Sequence, residues 1–303
     1  MSQVASPSSS ALPASRAGAW LLATRPRTLV AGAVPVLVGT ALAAHQNTAR
    51  ALPALAALLG AVLIQIGTNL VNDYYDFKKG ADRERVGEAR VTSAGLIAPE
   101  QVLAAAGFTA LLAVGVGLYL ASVGGWPIVA IGVASLLAGF AYTGGPFPLG
   151  YHGLGDLFVF VFFGLVAVGG TYFVQAGTLS LTALAAAIPV GTIGTAIIVV
   201  NNLRDRESDA KVGKRTLAVR FGEAFTRAEY VTLLALAFAT PVVLVALGAA
   251  RPFALLPLVS APLAIAPLKL VLREKGRPLD RGLALTARLQ AAFGVLFALG
   301  LWL

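Results

Sequence analysis

The sequence predicts an all-α, polytopic membrane protein: about nine transmembrane helices, arranged as two four-helix repeats plus one helix. Three observations predict it. Of the 303 residues, 57% are hydrophobic and only 12% charged, with a mean hydropathy of +0.81. A soluble domain carries roughly 25% charged residues to cover its surface, and apolar content this high also excludes disorder. Next, apolar runs long enough for a bilayer, which needs about 20 residues per helix, recur between polar or Gly/Pro punctuation. Last, the few charges fall almost entirely on one side of those runs.

The elements follow in order. Met1 to Ser15 is rich in Ser, Ala and Pro and has no basic n-region, so it is expected to be a disordered tail rather than a signal peptide. Residues 16–303 are expected to form a single transmembrane domain. The first span starts near Trp20 or Leu29 and ends at Ala44, and the second runs from Ala51 to about Tyr74. The third is Val102 to Val123, and Gly124-Gly125 separates it from the fourth, Trp126 to Tyr142. Leu154 to Gln175 and Leu179 to Asn201 are the fifth and sixth. The last three run from about Arg227 to Leu247, Pro252 to Leu268 and Leu283 to Leu303. Gly and Ala inside the runs suit helices that pack closely in lipid.

If the loops alternate sides, 21 of the 23 Lys and Arg and all 14 Asp and Glu share one face with the N-terminus. Only Arg50 and Arg251 fall on the other. By the positive-inside rule the charged face is cytoplasmic, which predicts a multi-pass protein of the cell membrane with its C-terminus outside. The same rule does not require acids there, so acids gathered at that face point to a site. The chain has no cysteine and two histidines, which excludes disulfides, thiolate chemistry, Fe–S clusters and a histidine metal cage.

Two constellations carry the chemistry. The second span ends Asn69-Leu-Val-Asn72-Asp73-Tyr-Tyr-Asp76, followed by Lys78, and the sixth ends Asn201-Asn202-Leu-Arg204-Asp205 through Asp209, followed by Lys214 and Arg215. Asn69 to Asp73 and Asn201 to Asp205 are both i,i+4 steps, so each set shares one helix face. The two copies sit four spans apart, as an internal repeat in the same orientation would place them. Carboxylates stacked this way repel unless a cation lies between them. Hard oxygen ligands suit Mg²⁺, which binds one or two carboxylates plus substrate phosphates. Neighbouring Lys and Arg add what a multiply charged phosphate needs. The inference is an Mg²⁺-bridged diphosphate site between two facing helix ends. The bland alternative, solvated helix caps, fits one such cluster better than it fits two.

These stretches resemble the two aspartate-rich motifs of the UbiA-type intramembrane prenyltransferases. Within that superfamily they are most similar to the 1,4-dihydroxy-2-naphthoate polyprenyltransferases of menaquinone biosynthesis. Arg25-Pro-Arg-Thr-Leu29, Gln65 through Asp76, Tyr142-Thr-Gly-Gly-Pro-Phe-Pro148, Gly153-Leu-Gly-Asp156 and Asn201 through Leu217 carry the resemblance over roughly 25–222. The superfamily's first motif often has a third acid four residues after Asp76; this chain has Gly80 there, with Asp82 nearby.

The resemblance implies Mg²⁺-dependent transfer of a polyprenyl chain from polyprenyl diphosphate to the aromatic acid, with loss of CO₂; the alternative is transfer to another aromatic acceptor (4-hydroxybenzoate, homogentisate, haem or chlorophyllide). Asp73, Asp76, Asp205 and Asp209 would hold Mg²⁺ and be the catalytic acids. Asn69, Asn72, Asn201 and Asn202 would orient them or touch the diphosphate. Lys78, Arg90, Arg204, Lys214 and Arg215 are candidate diphosphate contacts, against a plain topological role for each. Arg25 or Arg27 would meet a ring carboxylate or simply anchor the first helix. Tyr142 would line the ring site or belong to an interfacial belt. Asp156 would deprotonate the acceptor, carry a metal-bound water or complement a helix dipole. A secondary transporter is the non-enzyme alternative, and it expects charges near the midplane. Acids confined to one face favour an enzyme. The basic residues are dispersed with acids among them, so no nucleic-acid partner is expected.

Overall fold

The computed structural model describes Pro13, residues 15–82, Gly87 and residues 90–303. The expected N-terminal tail lies outside the described residues except for Pro13 and Ser15, and Ser15 caps the first helix by accepting from the Gly18 N–H at 3.1 Å.

Ten helices make up the described chain: α1 Arg16–Thr24, α2 Pro26–His45, α3 Ala51–Lys78, α4 Pro99–Gly124, α5 Trp126–Ala141, α6 Gly155–Ala176, α7 Leu181–Lys211, α8 Leu217–Ala246, α9 Pro252–Arg273 and α10 Pro278–Trp302. Eight of them are long and apolar enough to cross a membrane, and α5, with 16 residues, is a shorter apolar helix. The nine runs of the sequence are α2 to α10. The first run is two helices rather than one. Arg25 adopts the left-handed conformation (φ 50°, ψ 69°), which ends α1 and restarts the chain at Pro26, a residue suited to the first turn of a helix.

Hydropathy placed several helix ends too early. The third helix continues to Lys78 and the seventh to Lys211, while the eighth begins at Leu217, ten residues before the apolar run at Arg227, and is broken at Gly222 (φ 81°, ψ −176°). Polar residues end an apolar run without interrupting the backbone hydrogen-bond ladder, so both Asp-bearing strips lie inside helices that project past the apolar layer.

The loops gather at two poles. At one, Arg50 N–H donates to Gln175 Oε1 at 3.2 Å, and Arg251 reaches the Leu303 carbonyl at 2.7 Å. At the other, Arg215 N–H donates to the Tyr151 carbonyl at 2.8 Å, Lys79 to the Thr143 carbonyl at 2.6 Å, and Arg204 pairs with Asp280 at 2.7 Å. Among the described residues, the aspartates of both motifs lie at this pole with Arg90, Arg204 and Lys214.

Two cores hold the helices. The larger joins α2 with α6 to α10, around Val38, Tyr172, Ile193, Tyr230, Phe293 and Phe297. The smaller packs α1 against α3, α4 and the segment 91–97, through Ala23, Leu70, Tyr74, Val91 and Val102. Small residues permit the closest approaches: a Cβ at Gly39 would lie 2.6 Å from the Val168 carbonyl oxygen, and one at Gly164 2.8 Å from the Gly191 Cα. Between the cores, α2 to α6 line a half-open apolar cavity of about 370 Å³.

Gly39→Val is therefore expected to force α2 from α6 and lower stability by about 1–3 kcal/mol. Gly115→Ala, where a Cβ meets nothing within 4 Å, is expected to leave the melting temperature of the solubilised protein unchanged or slightly raised. Thermal melts of both variants in one detergent check this.

Candidate active site

The ends of α3 and α7 meet at the charged pole. They open onto a cavity of about 470 Å³ lined by Lys78, Lys79, Gly80, Ala81, Ser208, Lys211 and Val212. The four predicted aspartates lie behind it, all at most 6% exposed.

Each carboxylate is held by its own set of donors. Asp73 accepts the backbone N–H groups of Val91 and Thr92, both at 3.2 Å, and the Thr92 hydroxyl also reaches it. Asp76 takes the Arg90 guanidinium at 2.9 Å on one oxygen and the Tyr151 hydroxyl at 2.8 Å on the other. Asp205 is gripped at both oxygens by Arg204, at 2.8 and 2.6 Å. Asp209 meets Lys214 at 3.2 Å. The cation expected between stacked carboxylates is thus supplied in part by the protein. Burial alone would lower the Arg90 pKa, but Asp76, Asp82, Asp73 and Asp205 outweigh it and raise it, so the guanidinium stays charged. Burial and Asp76 push the Tyr151 phenol up as well, so it remains a donor.

The two motifs are tied together. Gly87, in the segment after the first motif, lies so close to Arg204 of the second that a Cβ there would be 2.6 Å from the guanidinium carbon. Arg204 also holds Asn201 at 2.7 Å and Asp280, in the first turn of α10, at 2.7 Å. It is absent from the residues lining the lysine-rich cavity, and its described partners are the acids and Asn201. Lys78 lines that cavity and sits 5.1 Å above the Tyr74 ring, Lys214 lies 5.7 Å from the Tyr151 ring, and Arg215 is exposed. Asn72 accepts the Thr143 hydroxyl at 2.7 Å, and Asn202 is buried.

Tyr142, the first residue beyond α5, links the charged pole to the apolar cavity, which it lines. Its ring is wedged between two backbones: a Cβ at Gly155 would fall 2.9 Å from its hydroxyl and one at Gly150 3.2 Å from its ring. Burial, followed by the charges of Asp156, Asp76 and Asp209, pushes its phenol up, while Arg25 pulls it down. Asp156 is 6% exposed at the start of α6, and its Oδ1 has no hydrogen-bond partner among the described residues. Arg25 reaches the Asn69 carbonyl at 3.5 Å.

Several site residues escaped the sequence reading. Tyr151, Thr92, Thr143 and Asp280 lie outside both motifs and are brought in by loops and by the last helix. Lys79 and Lys211 follow the last acid of each motif's run and were not singled out from the bases beside them.

The donor chemistry fits Mg²⁺. Among the described residues no three carboxylate or imidazole groups cluster as a ready-made cage. Pairs of aspartates beside a lysine-rich cavity match an ion that takes one or two carboxylates plus substrate phosphates.

Comparisons with known proteins agree with this architecture. The description "UbiA prenyltransferase family" applies to a profile that matches residues 32–278. The 1,4-dihydroxy-2-naphthoate octaprenyltransferase of Mycobacterium tuberculosis is 43% identical over 81% of this chain and 83% of its own length. The protein of the same name from Bacillus subtilis is 36% identical over 93% of this chain and 91% of its own. Among solved structures, a UbiA homologue from Archaeoglobus fulgidus bound to DMAPP and Mg²⁺ shares the fold at a TM-score of 0.62 and 15% identity, covering 92% of this chain and 98% of that one. Its counterpart from Aeropyrum pernix K1 does so at 0.68 and 14%, covering 87% and 96%. A profile match over that much of the sequence, on a bundle with paired Asp-bearing helix ends, means that this multi-pass membrane protein belongs to the UbiA prenyltransferase family.

Proposed function

We propose that this protein transfers a polyprenyl chain from polyprenyl diphosphate to 1,4-dihydroxy-2-naphthoate, with loss of CO₂, giving demethylmenaquinone and diphosphate. The observation that carries this reading is a pair of chambers of opposite character. A lysine-lined cavity of about 470 Å³ lies at the aspartate-bearing helix ends, and an apolar cavity of about 370 Å³ begins at Tyr142 and runs between the helices. One suits a diphosphate and the other an isoprenoid and an aromatic ring. The naphthoate acceptor is supported by the names of the similar bacterial proteins.

Lys78, Lys79 and Lys211 meet the diphosphate from the cavity wall, with Arg90, Lys214 and Arg215 adding positive charge. Asp73, Asp76, Asp205 and Asp209 are the residues that would hold Mg²⁺, which when bound supplies charge stabilisation for the departing diphosphate. Arg204 positions Asp205, and Arg90 and Tyr151 position Asp76. As the allylic C–O bond breaks, its electron pair leaves with the diphosphate. The apolar walls keep water from the allylic carbon until the electron-rich ring attacks it. Arg25 is the candidate partner of the ring carboxylate, whose carbon departs as CO₂ when the prenyl group takes its position. The charged pole faces the cytoplasm of the cell membrane, in keeping with the positive-inside rule.

Purified protein given 1,4-dihydroxy-2-naphthoate, a polyprenyl diphosphate and Mg²⁺ is expected to yield a prenylated naphthoquinol lacking the carboxylate, read by mass spectrometry. A product retaining the carboxylate, or none, would refute the assignment. Asp73→Asn and Asp205→Asn are each expected to lower kcat by about 10²–10³-fold. EDTA should abolish turnover and added Mg²⁺ restore it. Wild-type rates in either variant would remove that aspartate from the site. A reporter fused at the N-terminus is expected to give a cytoplasmic signal and one at the C-terminus an external signal.

A further inference from the structure

We propose that one outer face of the α9–α10 hairpin binds the phosphate headgroup of an anionic phospholipid, through Lys269 and Arg273 of α9 and Arg281 and Arg288 of α10. Neither the acceptor nor the prenyl donor of the reaction above enters into it.

The register of the hairpin puts the four bases on one side. Residues 274–277 join α9 to α10, so the two helices run antiparallel. They touch at Gly282, where a Cβ would lie 3.8 Å from the Leu270 Cβ. Lys269 and Arg281 each precede that contact by one residue. In antiparallel helices such positions turn to the same side of the pair, at nearly the same level. At 3.6 residues per turn, Arg273 and Arg288 point within about 40° of them. All four are exposed, and none has a hydrogen bond or ion pair among the described residues. At the aspartate motifs, by contrast, Arg90, Arg204 and Lys214 are each paired with an acid.

Topology accounts for bases at the rim of the charged pole, but not for Arg288. It stands 14 residues before Trp302, about 21 Å along α10. Tryptophan favours the membrane interface. Measured from there, a hydrocarbon core of about 30 Å ends about 9 Å beyond Arg288. An arginine at that depth on an exposed face is costly unless its charge is answered. Side chains lean toward the N-terminus of their helix, which for α10 is the charged pole, so the Arg288 stem can lift its guanidinium toward Arg281 and Lys269. Arg281 lies in the first turn of α10, where the helix dipole disfavours a cation and favours an anion. Positive charge gathered at headgroup depth suits a lipid phosphate. Below the bases the same side continues with exposed Ile265, Val295 and Leu299, which suit an acyl chain. A free phosphate would leave that apolar continuation unused, and a choline headgroup would bring its own positive charge against the bases.

The test is native mass spectrometry of the purified full-length protein in detergent, titrated with phosphatidylglycerol or with phosphatidylcholine of the same acyl chains. The wild type is expected to hold one phosphatidylglycerol about tenfold more tightly than phosphatidylcholine. Each base removed should weaken phosphatidylglycerol about fivefold, so Lys269→Gln loses that factor and Arg281→Gln/Arg288→Gln about 25-fold. Arg16→Gln/Arg206→Gln removes as many charges away from the hairpin and should leave the affinity within about twofold of wild type. The proposal is overturned if the wild type binds the two lipids alike, or if both double variants lose phosphatidylglycerol equally. Should Arg281→Gln/Arg288→Gln not fold, Lys269→Gln decides alone, and wild-type affinity in it overturns the proposal. A polyprenyl diphosphate, titrated in parallel, should bind the wild type and the hairpin variants equally. A loss in step with that of phosphatidylglycerol would give the face to the prenyl donor and overturn the lipid assignment.

Discussion

An ionised carboxylate at the edge of a hydrocarbon layer has to be matched by donors of its own, and the charged pole of this protein is organised around that requirement. Four buried aspartates stand on two helix ends. Arg90, Arg204 and Lys214 answer three of them, and the amides of Val91 and Thr92 answer the fourth. Since Asp73 binds backbone N–H groups, it fixes the path of the segment after α3 as well as a charge. The smaller core forms beneath that segment, through Val91 and Ile97. Electrostatic matching, loop conformation and packing are one structure here. Breaking an Asp–Arg pair would leave a charge buried without compensation, a larger loss than the pair's net contribution.

The sequence made the helices and the paired motifs legible because both rest on local rules: apolar length for the spans, and i,i+4 spacing for Asn69, Asp73, Asn201 and Asp205. Charge asymmetry added the common face. Local rules reveal neither helix ends beyond the apolar layer nor partners drawn from remote segments. Tyr151 meets Asp76 across 75 positions and Asp280 meets Arg204 across 76. Composition also leaves the partners of Arg204 unseen: a base beside an acid in a motif reads as a phosphate ligand, and the guanidinium holds Asp205, Asp280 and Asn201. The break at Arg25 was hidden because a non-glycine residue in the left-handed region carries no compositional mark.

Packing explains why a cavity persists in a bundle of apolar helices. The larger core closes on small residues, with Gly294 of α10 against Val34 of α2, and Gly300 against the Phe253 backbone. The α1–α3–α4 unit packs on its own core instead. Space therefore remains where the two cores face each other, and α5, shorter than its neighbours, covers one side. The polar residues facing that space are few, and Gln65, Thr68 and Tyr142 stand toward its charged end. A long hydrocarbon chain finds surroundings there much like the lipid it leaves.

The spacing of the ion pairs bears on how the chain is made. Asp76 and Arg90 are 14 residues apart, Asp209 and Lys214 five, and Arg204 and Asp205 adjacent. Each acid therefore emerges from the ribosome within one hairpin of the base that neutralises it. The hairpins can then leave the translocon with their charges already paired, instead of exposing bare carboxylates to lipid until the final helix arrives. The Arg204–Asp280 link, by contrast, waits for the end of synthesis, so this brace is set when the last helix docks.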